Sequence, residues 1–168
     1  PEKELLFSHI DEKYFLLNEK FIPISIPLHQ VFFIIYAKKD SSLFTFQSKD
    51  NLFGVMNQDG KIIIQPTYQN EPYLENNIIL VKTNNYNSFD AYHLNGALIF
   101  SNIYAHKTST VNPSIFYGSS GGTETVYSLK DSKVINPGGN YTAFEEIPKY
   151  GLVVASKNME KFIFDKNF

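Results

Sequence analysis

The side chains able to do chemistry are few in this sequence, and their spacing gives them little to do together. Four histidines, His9, His29, His93 and His106, show neither the H-x-x-x-H nor the H-E-x-x-H spacing that sets two imidazoles on one face of a metal site. A zinc centre would have to be assembled from distant segments, so no metal ligand is expected. The adjacent acids Asp11-Glu12 and Glu145-Glu146 match the two carboxylates of a glycosidase in number only. Neighbours on a strand point to opposite faces, whereas that chemistry needs two carboxyls converging on one bond. Both pairs read as solvated loop charges. "GSSGGTET" (118–125) could offer backbone amides to a phosphate, but neither a Gly-Lys-Ser/Thr nor a helix follows, and it reads as a flexible loop at a hairpin. Cys is absent, and no Ser stands in a G-x-S-x-G context. The chain is expected to carry no catalytic set, no metal and no cofactor. Two tyrosines in Pro-bearing loops remain, Tyr73 and Tyr150. They could form an exposed aromatic ladder for a protein or a sugar, or staple their loops to the core.

Charge narrows the partners further. Fifteen lysines, with no arginine, stand against 17 acids for a formal charge of −2, and the lysines are scattered. Nucleic acid, which calls for a clustered basic surface and Arg forks, is not an expected partner. The longest apolar run, "VFFIIYA" (31–37), is far shorter than the roughly 20 residues of a membrane-spanning helix. No membrane span is expected, and the compartment stays open. With 43% hydrophobic and 15% aromatic residues, the 168-residue chain can bury a core.

The elements that must position the tyrosines come from an internal repeat. Apolar runs end at Asn18, Asn57, Asn95, Lys130 and Asp165, in steps of 39, 38, 35 and 35 residues. A second set starts at Ile34, Ile78, Ile115 and Leu152, in steps of 44, 37 and 37. Middle runs lie between them, three of which close on Tyr68, Tyr104 and Tyr141. A period of about 37 residues gives approximate repeats at 11–50, 51–86, 87–122 and 123–158, with a partial fifth at 159–168. The step of 44 is accounted for by an insertion at 40–51 that could hold an extra edge strand.

Each run is short, rich in Ile, Val, Phe, Tyr and Leu, and bounded by Gly, Asn, Asp or Pro, which is a strand pattern and not a helical stripe. Three antiparallel strands per repeat follow, with Asp59-Gly60 and Asn95-Gly96 supplying positive φ to hairpins. Pro66 and Pro137 should end their strands. The N-terminal "PEKELLFSHIDEKYF" fits a short helix or a strand. A unit this small cannot bury its apolar surface alone, so neighbours stack into an open, meander-like or solenoid-like array. A closed propeller-like ring is the alternative, which four strands per repeat would suit better than three.

The best copy, "LFGVMNQDGKIIIQPTYQNEPYLENNIILVK" (52–82), resembles the bacterial WG-repeat family, also called KWG repeats. Its matching positions are Phe53-Gly54, Asn57, Gly60-Lys61, Pro66, Tyr68, Glu71-Pro72-Tyr73 and the strand from Ile78. Phe53 stands where the family has its namesake Trp, and the Gly of that dipeptide falls on Tyr92 and Tyr127 in the next copies. The family brings no general catalytic motif. The resemblance implies a non-enzymatic scaffold that presents an extended surface to a protein partner. A carbohydrate or envelope-polymer ligand is the alternative, and a propeller-type hydrolase a more distant one.

Overall fold

The structure, a computed structural model, describes residues 6–18, 20–25, 28–38, 41–85, 88–120, 122–135 and 140–167. An opening hairpin pairs β1 (Leu6–Ile10) with β2 (Lys13–Leu17). The first full sheet is a meander of β3 (Gln30–Lys38), β4 (Ser41–Gln47), β5 (Phe53–Asn57) and β6 (Ile62–Tyr68). The second holds β7 (Tyr73–Glu75), β8 (Ile78–Lys82), β9 (Phe89–His93) and β10 (Leu98–Ile103). The third holds β11 (Ala105–Thr108), β12 (Ile115–Ser120), β13 (Thr123–Ser128) and β14 (Lys133–Val134). The last has β15 (Ala143–Ile147), β16 (Leu152–Lys157) and β17 (Glu160–Asp165). Every pairing is antiparallel, the arrangement is an open all-β repeat array, and among the described residues no helix is long and apolar enough to cross a membrane. The N-terminal segment is a strand hairpin, not a helix, from Leu6 onward.

The sheets straddle the sequence repeats. Their second strands start at Ser41, Ile78, Ile115 and Leu152, each 37 residues after the one before. The step of 44 therefore disappears. "SSLFTFQ" is no insertion at an edge but β4, a regular second strand, while "IIYAK" (34–38) belongs to the edge strand β3. In the first three full sheets the three expected strands are joined by a further one, and in the last sheet β15 joins β16 and β17; β7 lies within a Pro-bearing loop, β15 runs into one, and β11 lies just ahead of one. A run such as Tyr73-Leu74-Glu75 is too short to show alternation, yet its backbone is satisfied by pairing with β8. With four strands in three of the sheets, strand count no longer separates the array from propeller blades.

Turn chemistry fixes the register and shifts part of it. Asn57 Oδ1 accepts from the amides of Asp59 (3.1 Å) and Lys61 (2.9 Å), and Gly60 N donates to Asn57 O (3.0 Å). Asn18 repeats this with Lys20 (2.9 Å) and Ile22 (3.0 Å), confirming the step of 39. In the next copy Gly96 N donates to His93 O at 2.9 Å, so His93 and not Asn95 is the counterpart of Asn57. By that register Gly54 corresponds to Asp90 and Thr125, not to Tyr92 and Tyr127, and Phe53 to Phe89. The ends of apolar runs were a poorer guide than the turn glycine. Gly60 (φ +77°) and Gly96 (φ +86°) take positive φ in three-residue loops, and a Cβ on either would sit 2.3 Å from the carbonyl of Ile24 or Ile63 in the preceding copy. Tight two-residue turns occur elsewhere, at Asp11-Glu12, Asn76-Asn77 and Asn158-Met159, all with positive φ at both positions. Pro66 does not end its strand: β6 is the outer strand of its sheet and its ladder is irregular there, so a missing amide is tolerated. Pro137 lies outside the described residues.

Four cores sit between successive sheets. Leu16 and Leu28 pack on Phe44, Phe46 and Met56 of the first sheet. Leu43, Val55 and Ile64 of that sheet pack on Ile79 and Val81 of the second. Ile78, Leu80, Ala91 and Ile103 meet Phe116, and Ile115, Tyr117 and Val126 meet Tyr141, Phe144, Val153 and Ala155. Strand alternation sends odd and even residues of β8 to opposite neighbours, which is why "IILV" is continuously apolar.

Candidate functional site

The polar groups with the most altered chemistry lie in the seams between sheets. Glu146 projects from β15 towards the third sheet. Its carboxylate accepts from Tyr117 Oη (3.0 Å), Thr110 N (2.8 Å), Thr110 Oγ1 and the Ser109 hydroxyl. Burial opposes its ionisation, but these hydrogen bonds outweigh burial and hold its carboxyl below the ordinary value. Tyr117 is pushed up in turn, by burial and then by the Glu146 charge. Lys107 Nζ lies 4.8 Å from the centre of the Tyr117 ring and donates to Phe144 O, closing the seam. Glu146 is thus not the solvated loop charge expected of it, whereas Asp11 and Glu12 are exposed turn residues.

A related latch joins the first and second sheets: buried Thr45 donates to Glu71 Oε1 at 2.7 Å. Thr45 pairs across its ladder with Val55, as Tyr117 does with Val126. Equivalent forward-facing positions therefore bond the acid that accompanies the following Pro. Between the second and third sheets that position is Leu80, and the corresponding loop, Val111-Asn112-Pro113, has no acid. Hydroxyl and acid appear together and are absent together, so the acid of the loop ties one sheet to the next where the hydroxyl is there to meet it.

The motif tyrosines diverge. Tyr68 Oη donates to Asp90 Oδ2 at 2.6 Å and is hydrogen-bonded to the Tyr92 hydroxyl, again across two sheets; burial first, then those bonds, raise its pKa. Tyr141 is buried, its ring centre 5.2 Å from Phe144 and 5.9 Å from Phe162. Tyr104 is 56% exposed at the junction of β10 and β11. Phe53 is half-buried opposite Tyr68, and Gly54 leaves room for the Phe46 ring, since a Cβ there would lie 2.8 Å from it and 2.7 Å from Ile64 O.

Tyr73 and Tyr150 are not brought into equivalent places. Tyr73 lies on β7 with its ring edge-on to Phe89 at 6.5 Å, and burial, then the Glu75 charge, raises its pKa. Tyr150 ends a 3-10 turn at Pro148–Tyr150, is 65% exposed, and has Lys149 Nζ 5.3 Å from its ring centre. "GSSGGTET" is not a flexible loop: β12 and β13 pair from Ile115↔Ser128 as far as Ser120↔Thr123. His9 stacks on Tyr14 at 4.6 Å, and burial lowers the pKa of His93. The His106 side chain lies outside what is described, and among the described residues no three metal-ligating groups cluster.

One cleft was not expected. About 450 Å³ in volume, it opens between the turns of the third and last sheets, lined by Asn112, Ser114, Lys130, Asp131, Lys133 and Asn167 among others. Asn112 Nδ2 donates to Lys166 O at 2.9 Å across it, and Asp131 is held by Ser128 Oγ. Its lysines and amides suit a hydroxyl-bearing or anionic group. No run of the sequence announces it, because its walls come from three separate segments, 112–115, 128–135 and Asn167.

No family model and no curated protein matches the chain. Among solved structures it is similar to two crystal structures of BBS1N in complex with ARL6DN. The one soaked with lead is 18% identical with a TM-score of 0.36, covering 95% of this chain and 58% of that one. The one soaked with mercury is 18% identical with a TM-score of 0.32, covering 89% and 52%. It is also similar to the dihydro-heme d1 dehydrogenase NirN in complex with DHE, at 11% identity and a TM-score of 0.33, covering 96% and 42%. The chain spans about half the length of these neighbours.

Proposed function

We propose that this chain is a non-catalytic binding module of the WG-repeat type, presenting an extended sheet-edge and turn surface to a protein partner. The observation that carries the reading is the fate of its acids: Glu146 and Glu71, which stand in the motif loops, are engaged in latching one sheet to the next. Chemistry-bearing groups are thus used to build the array, and the array is used to display a surface. Tyr104 and Tyr150, exposed at strand ends, are the aromatic contacts such a surface would use.

The test is affinity capture from the host's lysate and envelope fractions, with mass spectrometry after a moderate salt wash. One protein retained by wild type and lost with Tyr150→Ala or Tyr104→Ala supports the reading. Retention of sugar polymer with no protein moves the assignment to the carbohydrate alternative. Hydrolysis of a polymer by the purified chain overturns the non-catalytic reading outright.

A further inference from the structure

Carboxylates tie the sheets together in pairs. Glu71 and Asp90 cross the seam between the first and second sheets, to Thr45 and Tyr68. Glu146 and Glu124 cross the seam between the third sheet and the last, Glu146 to Tyr117, while Glu124 Oε2 accepts from Phe144 N at 2.6 Å. The seam between the second and third sheets is made otherwise. Leu80 fills the place of the hydroxyl, the loop ahead of β12 brings no acid, and Ile78, Leu80, Ala91 and Ile103 meet Phe116 in an apolar contact.

A histidine stands at one end of that apolar seam. His93 closes β9 two residues beyond Ala91, and so shares its face towards the third sheet. Its ring centre lies 6.1 Å from that of Tyr127, and its Nε2 is 3.5 Å from Ser132 Oγ in the turn that follows β13. Neither neighbour is a carboxylate that could offset an imidazolium. The charged residues of that turn and of β14, Lys130, Asp131 and Lys133, line the cleft between the third sheet and the last. In the second sheet, Asp90 and Tyr92 face the first sheet and are bonded to Tyr68. Glu75 shares the face of His93 but stands two strands away through Ile78, roughly 10 Å, and Tyr73 and Lys82 lie farther along it.

We propose that the seam between the second and third sheets is an acid-sensitive joint, closed while His93 is neutral and loosened when it takes up a proton, so that the array parts there into two latched halves. Burial, which disfavours the charged ring, holds the His93 imidazole below its ordinary value of 6.5. The neutral packing therefore contributes in full above 6.5 and is lost as the pH falls through the folded value. Glu146, whose carboxyl titrates below 4.5, stays ionised beyond that point, so the last seam holds while the middle one loosens.

The chain has no cysteine, so a single introduced thiol reports on one seam at a time. Ala91→Cys places it in the middle seam and Ala155→Cys in the last, both at fully buried alanines. Labelling by a pyridyl disulfide is followed at about pH 7.5 and about pH 5.5, on either side of the ordinary histidine value. Each rate is divided by that of the same variant unfolded in denaturant at the same pH, which removes the thiol's own titration. The Ala91→Cys rate should rise several-fold on acidification and the Ala155→Cys rate should not. Adding His93→Gln, which takes up no proton, should abolish the rise. No rise in the middle seam overturns the proposal, as does a rise that survives His93→Gln or one that is equal in both seams. An NMR titration of the wild-type imidazoles needs no substitution, and a His93 that titrates at or above 6.5 overturns the proposal too.

Discussion

β8 and the last sheet obey the same repeat and live in different environments. Ile78, Ile79, Leu80 and Val81 are all fully buried, because a sheet lies on each side of β8. In β16 and β17 the positions facing backward, Val153, Ala155 and Phe164, are packed, while Ile163 is largely in water. Both segments carry strand-forming apolar residues at matching steps. The difference teaches that the repeat pattern specifies which face a side chain takes, and its surroundings decide how far it is buried there, since Ile163 is 68% exposed where its counterpart Ala91 is fully buried.

The largest effect should come from Leu80→Ala, which opens a void in a seam with no room to collapse: a loss of about 2–5 kcal/mol, read by denaturant unfolding. Gly54→Ala should follow at about 1–3 kcal/mol, because the new methyl meets Ile64 O and the Phe46 ring. If Gly54→Ala were neutral, the close approach of β6 to β5 would not be as described.

Glu146→Gln tests the seam on the near side of the last sheet, at about 1–3 kcal/mol near neutral pH. The folded carboxyl titrates below its ordinary value of 4.5, so its contribution is complete above that value and fades as the pH falls through the folded pKa. The acid limb of the stability profile should flatten in the variant; an unchanged limb would remove Glu146 from the seam. Smallest of all, Ile163→Ala should change stability by no more than about 0.5 kcal/mol. A loss near that of Leu80→Ala would mean that the Ile163 side chain is packed and not exposed.

The same contrast explains what was legible in the sequence. Period, strand class and the turn at Asn57–Gly60 were plain, because hydrophobic alternation and turn chemistry are local. β7 and β11 were not, since strands of three or four residues are specified by the ladder they join. The place of β4 was masked by β3, whose "VFFIIYA" looks more like a core strand than "SSLFTFQ" does, although β3 lies at the edge of its sheet. Glu146 was misread as a loop charge because its partners, Ser109, Thr110 and Tyr117, are about 30 or more residues away. The cleft at Lys130 and Lys133 is illegible for a similar reason, being made by three segments that meet only in space.

Among the described residues, every ladder joins strands that are neighbours along the chain. None of these sheets waits for a distant segment to arrive, so the loop-closure entropy that slows most β-proteins is small at each step. Assembly can then begin at whichever meander forms first and spread outward one seam at a time, as a zipper closes. Damage should travel by the same route: a defect in the second sheet reaches the first and third through their shared cores, and fades beyond them.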